Sequence, residues 1–98
     1  MDKERILGIL RQHEAEIKAA GILHLRLFGS VARGEATPQS DVDLLIDVEG
    51  PDFNDLLRVY GSEDEIAGML GFKTHFTSEQ YLRPEYRDSI LGEAVDVF

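Results

Sequence analysis

A chain of 98 residues has room for one hydrophobic core, and its 43% apolar content is ordinary for a globular domain. The formal net charge of −9 disfavours a sequence-neutral grip on nucleic-acid phosphates, which needs clustered Lys and Arg; it is compatible with metal cations or a basic protein partner, and equally with solubility alone. The chain has no cysteine, which excludes disulfides and thiolate metal sites and allows a reducing, cytoplasmic setting.

One domain over residues 1–98 is expected, without internal repeats. The charged opening MDKERILGIL does not read as a signal peptide. No run approaches the roughly 18 to 20 apolar residues that span a bilayer.

Taken in order, ERILGILRQHEAEIKAAG places Ile6, Leu10 and Ile17 near one helical face, with Leu7 and Ala20 adjoining and Gly21 as the stop. ILHLRLF alternates as a strand, with Leu23, Leu25 and Leu27 on one face and His24, Arg26 and Phe28 on the other. SVAR fits one helical turn, capped by Ser30 and ended by Gly34. GEATPQS is a loop anchored by Pro38.

DVDLLIDV is a second strand. Val42, Leu44 and Ile46 share one face, while Asp41, Asp43, Leu45 and Asp47 share the other; Leu45 implies that the middle of both faces is covered. GPD opens a helix near Asp52, along which Phe53, Leu56, Leu57, Tyr60, Ala67 and Leu70 keep helical spacing. A break at GSED is allowed, with Ser62 capping a second helix and the acidic run SEDE as its solvated start. FKTHFT is a third strand, with His75 and Thr77 on one face and Phe72, Thr74 and Phe76 on the other. RPEYRDSILGEA is a helix entered at Pro84, and AVDVF a short closing strand. This order predicts an α/β (α+β) fold, one small sheet with helices packed on it.

Asp41 and Asp43 lie two residues apart on a strand, about 6.6 Å along the chain, with side chains to one side. Like charges at the mouth of a buried strand repel and resist burial. A divalent cation converts that repulsion to attraction, and oxygen-only ligands suit Mg²⁺ or Mn²⁺ rather than zinc. Two solvated aspartates at a strand end are the plainer alternative. Upstream, Gly29-Ser30 after a strand and before a short helix offers backbone N–H groups and a hydroxyl to an anion, and Arg33 can add a charge to it or remain a surface residue. Asp47 is too far along the strand to join the pair, and His13, His24 and Asp96 carry no sign of a site.

The combination is more specific than its parts. Gly29-Ser30, ten residues, then Asp41-x-Asp43 between strands resembles the signature of the polymerase-beta-like nucleotidyltransferase superfamily. LFGSVARGEATPQSDVDLLI is similar over about twenty residues to the minimal nucleotidyltransferases, with their G-S-x-A-R-G and S-D-x-D-L elements, and GFKTHFTSEQYLRPEYRDSILGEAVDVF follows their C-terminal part more loosely. The resemblance implies a small mixed sheet of the polymerase-beta palm type, with Asp41 and Asp43 as metal ligands and catalytic carboxylates. Gly29 and Ser30 would hold the phosphates of ATP, and Arg33 would be an accessory contact. It further implies in-line attack of an acceptor hydroxyl on the α-phosphorus, with pyrophosphate leaving.

Many members also carry a third carboxylate on a later strand. Here the aligned segment is THFTS, and His75 stands in that place, either as a general base or as a half-exposed strand residue. Minimal members are often the antitoxin of a pair with a helical HEPN-type toxin, and some transfer AMP to a tyrosine of that toxin. The expected role is therefore AMP transfer to a partner protein. The alternatives are a catalytically decayed antitoxin that neutralises by contact, or a subunit that modifies a small molecule. Self-association is possible in either case.

Overall fold

The computed structural model describes residues 2–50 and 52–98. Met1 and Pro51, to which the opening decapeptide and the GPD helix start partly extend, lie outside the described residues. The elements run α1 (Lys3–Gln12), α2 (Glu14–Ala19), β1 (Ile22–Phe28), α3 (Gly29–Arg33), β2 (Val42–Val48), α4 (Phe53–Tyr60), α5 (Glu63–Leu70), β3 (Thr74–Ser78), a 3-10 turn at Glu79–Tyr81, α6 (Pro84–Glu93) and β4 (Val95–Asp96). The sheet order is β3-β2-β1-β4. β1 runs antiparallel to both β2 and β4, while β3 lies parallel to β2, reached through the α4–α5 crossover. This is the mixed α/β sheet that the sequence predicts.

One sheet face carries the core. Leu25, Leu27, Val42, Leu44, Ile46 and Phe76 pack there with Ile6, Leu10 and Ile17 of the first two helices and with Val59, Ile66 and Leu70 of the crossover. Burying a Leu or Ile side chain contributes about 1.5 to 3 kcal/mol, so this face supplies most of the drive to fold. The opposite face holds His24, Arg26, Asp43, Asp47 and His75, with Leu45 alone fully covered at its centre. The 3-10 turn packs over β2 there, and Arg26 pairs with Glu79 at 3.3 Å. The functional candidates are on this thinly covered side.

Several expectations need correction. The first helix is two: the chain breaks at His13, whose N–H is shared between the Ile9 and Leu10 carbonyls at 3.3 and 3.2 Å and whose ring meets Glu16. Ile6, Leu10 and Ile17 still reach one core, because the break re-aims α2 without ending the apolar pattern. Leu23 is 52% exposed, not core-facing: the β1–β2 register shifts between Ile22 and His24, so Ile22 is buried in its stead. Ser30 sits inside α3 rather than capping it, since the helix begins at Gly29.

The α4–α5 segment does break at Gly61-Ser62, but Ser62 makes no side-chain cap; its hydroxyl donates to the Val59 carbonyl at 2.6 Å. Asp52 does cap α4, accepting from the Asp55 N–H at 3.0 Å. On α4 only Val59 is buried; Phe53 and Leu57 are exposed, so helical spacing here marks an outward ridge. Glu63 is not merely solvated. Its Oε2 accepts from the Phe76 N–H at 2.8 Å. The third strand begins at Thr74 and runs to Ser78, leaving Phe72 outside it.

Candidate nucleotide and metal site

Asp41, Asp43, His75, Gly29 and Arg33 come together where β1 ends, β2 begins and β3 begins. β1 delivers the chain to Gly29, whose φ of +77° lets it turn sharply into α3. In the β1–β2 register Phe28 stands opposite Asp43, so the turn lies directly beside that carboxylate. A β-carbon on Gly29 would overlap the Asp43 side chain. The glycine is therefore demanded twice, by conformation and by space. Gly34, at φ +74°, ends α3 and releases the loop that returns to Asp41.

Asp41 lies just before β2 and Asp43 within it, both half-buried. His75 pairs with Asp43 in the parallel β2–β3 register, and its Nε2–H donates to Asp41 Oδ2 at 2.9 Å. Burial pushes the Asp43 carboxyl above the usual carboxylate range; His75 and Arg33 oppose that shift, and Asp41 and Glu93 reinforce it. Asp41 is thus near enough to repel Asp43, which a cation between them would relieve.

No group of three or more His, Cys, Asp and Glu side chains converges as a metal cage among the described residues. Two carboxylates, completed by water and phosphate oxygens, are, however, the donor set that Mg²⁺ commonly takes in phosphoryl-transfer sites. The repelling, partly desolvated pair fits such an ion.

Arg33 lies at the end of α3. Its guanidinium is bound by Glu35 at 3.0 Å and by both oxygens of Glu93, at 3.2 and 3.0 Å; hydrogen bonds to Glu35 and then Glu93 raise its pKa further above its ordinary value. Glu93 also accepts from the Gly29 N–H at 3.1 Å. No motif singles out Glu93. The signal that could have found it is topological: once AVDVF is paired antiparallel with ILHLRLF as Leu27↔Val95, two further steps bring Glu93 level with Gly29. Asp47 lies opposite His24, and Asp96 binds Arg26 at 3.1 Å, both outside the cluster.

A strand, a glycine turn into a short helix and a carboxylate pair on the adjacent antiparallel strand define a nucleotidyltransferase fold. The nucleotidyltransferase domain family matches residues 4–97, and the chain belongs to that family of transferases. Protein adenylyltransferase MntA of Thermococcus cleftensis is 33% identical over 95 residues, which span 96% of this chain and 94% of that protein. A solved structure described as a candidate minimal nucleotidyltransferase superposes with a TM-score of 0.77 at 35% identity, covering 97% of this chain and 95% of that one. A toxin–antitoxin structure with AMP-PNP shares the fold at a TM-score of 0.69 and 14% identity, covering all of this chain and 73% of that one. No helix among the described residues is long and apolar enough to cross a membrane.

Proposed function

We propose that this chain transfers AMP from ATP to a hydroxyl of a partner protein, as the cytoplasmic antitoxin of a pair whose toxin is a helical HEPN-type protein. The observation that carries the reading is the placement of Asp43 directly beside the Gly29 turn, with Asp41 two residues before it on the same chain segment. The similarity to a protein adenylyltransferase over nearly the whole chain supports a protein acceptor, and the excess negative charge favours a basic partner surface over nucleic acid.

In this reading Asp41 and Asp43 hold Mg²⁺ or Mn²⁺, which supplies charge neutralisation for the triphosphate and its departing pyrophosphate. The Gly29-Ser30 turn receives phosphate oxygens through backbone N–H groups and the Ser30 hydroxyl, and Arg33 adds a cation at the same end. His75, beside Asp43 in register, accepts the acceptor hydroxyl's proton when its imidazole is neutral. The protein's work is mainly to position these groups.

The test is to mix the protein with ATP labelled at the α-phosphate, Mg²⁺ and the product of the neighbouring gene. A covalent adenylyl adduct on that product is expected. A second reading, neutralisation by contact alone, is favoured by one observation: His75 engages Asp41 at 2.9 Å, at a position where the family resemblance leads one to expect a carboxylate rather than an imidazole. Tight binding without any adduct would support it, and adduct formation restored by His75→Asp would locate the defect at that residue.

A further inference from the structure

We propose that Glu93 is an internal stand-in for a phosphate: its carboxylate occupies the donors of the Gly29 turn in the free protein and leaves when a triphosphate enters. The inference rests on the triphosphate reading given above and adds a self-competing group to it. Glu93 Oε1 accepts from the Gly29 N–H at 3.1 Å, and both oxygens accept from Arg33 Nη1, at 3.2 and 3.0 Å. An amide N–H and a guanidinium converging on one carboxylate are the donors that a phosphate would engage by the same charge-assisted hydrogen bonds.

The carboxylate is held there by topology. Glu93 is the last residue of α6, and β4, two residues on, is paired with β1. Its side chain is nonetheless 25% exposed, and α6 has no buried residue, so the group can turn to water without opening the core. Two anions cannot both hold these donors, because the mutual repulsion adds to the loss of hydrogen bonds. Phosphate entry therefore frees Arg33 from one of its two carboxylates and exchanges Glu93 for a phosphate oxygen, with no covalent change.

The experiment is calorimetric titration of wild type, Glu93→Gln and Glu93→Ala with three probes: ATP with Mg²⁺, inorganic tripolyphosphate, and adenosine. Both variants are expected to bind ATP and tripolyphosphate roughly fivefold tighter than wild type, as removal of a like charge at contact distance implies. Adenosine affinity should not change. Unchanged or weaker tripolyphosphate and ATP binding by folded variants, with wild type binding ATP normally, overturns the role of Glu93 and leaves the triphosphate reading standing. Binding of neither phosphate probe by any of the proteins overturns both. Should the two variants fail to fold, Glu93→Asp, which keeps the charge but shortens the reach to the Gly29 N–H, must bind ATP and tripolyphosphate measurably tighter than wild type, by less than the tightening expected when the charge is removed, or the proposal falls.

Discussion

Gly29 faces Asp43 so closely across the β1–β2 pair that no side chain fits between them. The turn that would take phosphate and the carboxylate that would take the metal are set by one contact. Gly29→Ala adds a β-carbon at a positive φ and pushes Asp43 aside. The expected cost is about 1 to 2 kcal/mol, a fall in Tm of roughly 5 to 12 °C for a domain of this size. Thermal unfolding followed by circular dichroism checks it, and an unchanged Tm would contradict the geometry.

Asp43 itself is a burden on the fold. Burial raises its folded-state pKa above the ordinary aspartate value, so the folded protein holds that proton more tightly than the unfolded chain does. Stability from this group is therefore greatest below the ordinary aspartate pKa and is lost as pH rises through the raised, folded value. Asp43→Asn should melt higher than wild type at pH 7, by roughly 2 to 5 °C, and the gap should close as the pH is lowered past that range. Mg²⁺ should raise the Tm of wild type and leave that of Asp43→Asn nearly unmoved. A variant less stable than wild type at neutral pH would contradict this.

The alternating pattern in ILHLRLF and DVDLLIDV made the central strand pair legible, because a two-residue period with one greasy face has only one way to lie on a core. Asp41 and Asp43 were legible for the converse reason: charges inside such a pattern need a cause. The β-bulge at Ile22/His24 was not legible, since an inserted residue leaves local composition unchanged while burying Ile22 in place of Leu23. Glu93 was hidden because its partners, Gly29 and Arg33, are more than fifty residues away, and only the β1–β4 register joins them. The break at His13 left no mark because the apolar spacing of Ile6, Leu10 and Ile17 survives it.

Glu63 protects an exposed edge. β3 ends the sheet, and the outward backbone groups of Phe76 are met by side chains: Glu63 accepts from its N–H at 2.8 Å, and the Tyr60 hydroxyl donates to its carbonyl at 3.4 Å. Glu63→Ala should cost about 1 kcal/mol, a Tm loss of roughly 4 to 8 °C, and should increase self-association through the uncovered strand. Melting and sedimentation velocity together check this; a variant both as stable and as dispersed as wild type would show that the contact does neither.

Asp41 and Asp43, as the proposed carboxylates of the transfer site, are best tested together. The direct measurement is adenylyl transfer from α-labelled ATP to the partner protein by wild type and by the double variant Asp41→Asn, Asp43→Asn, with folding and partner binding verified in both. A labelled partner is expected with wild type, and a loss of at least about a hundredfold with the double variant, the scale on which removing metal ligands acts. Equal labelling by the two proteins would contradict it.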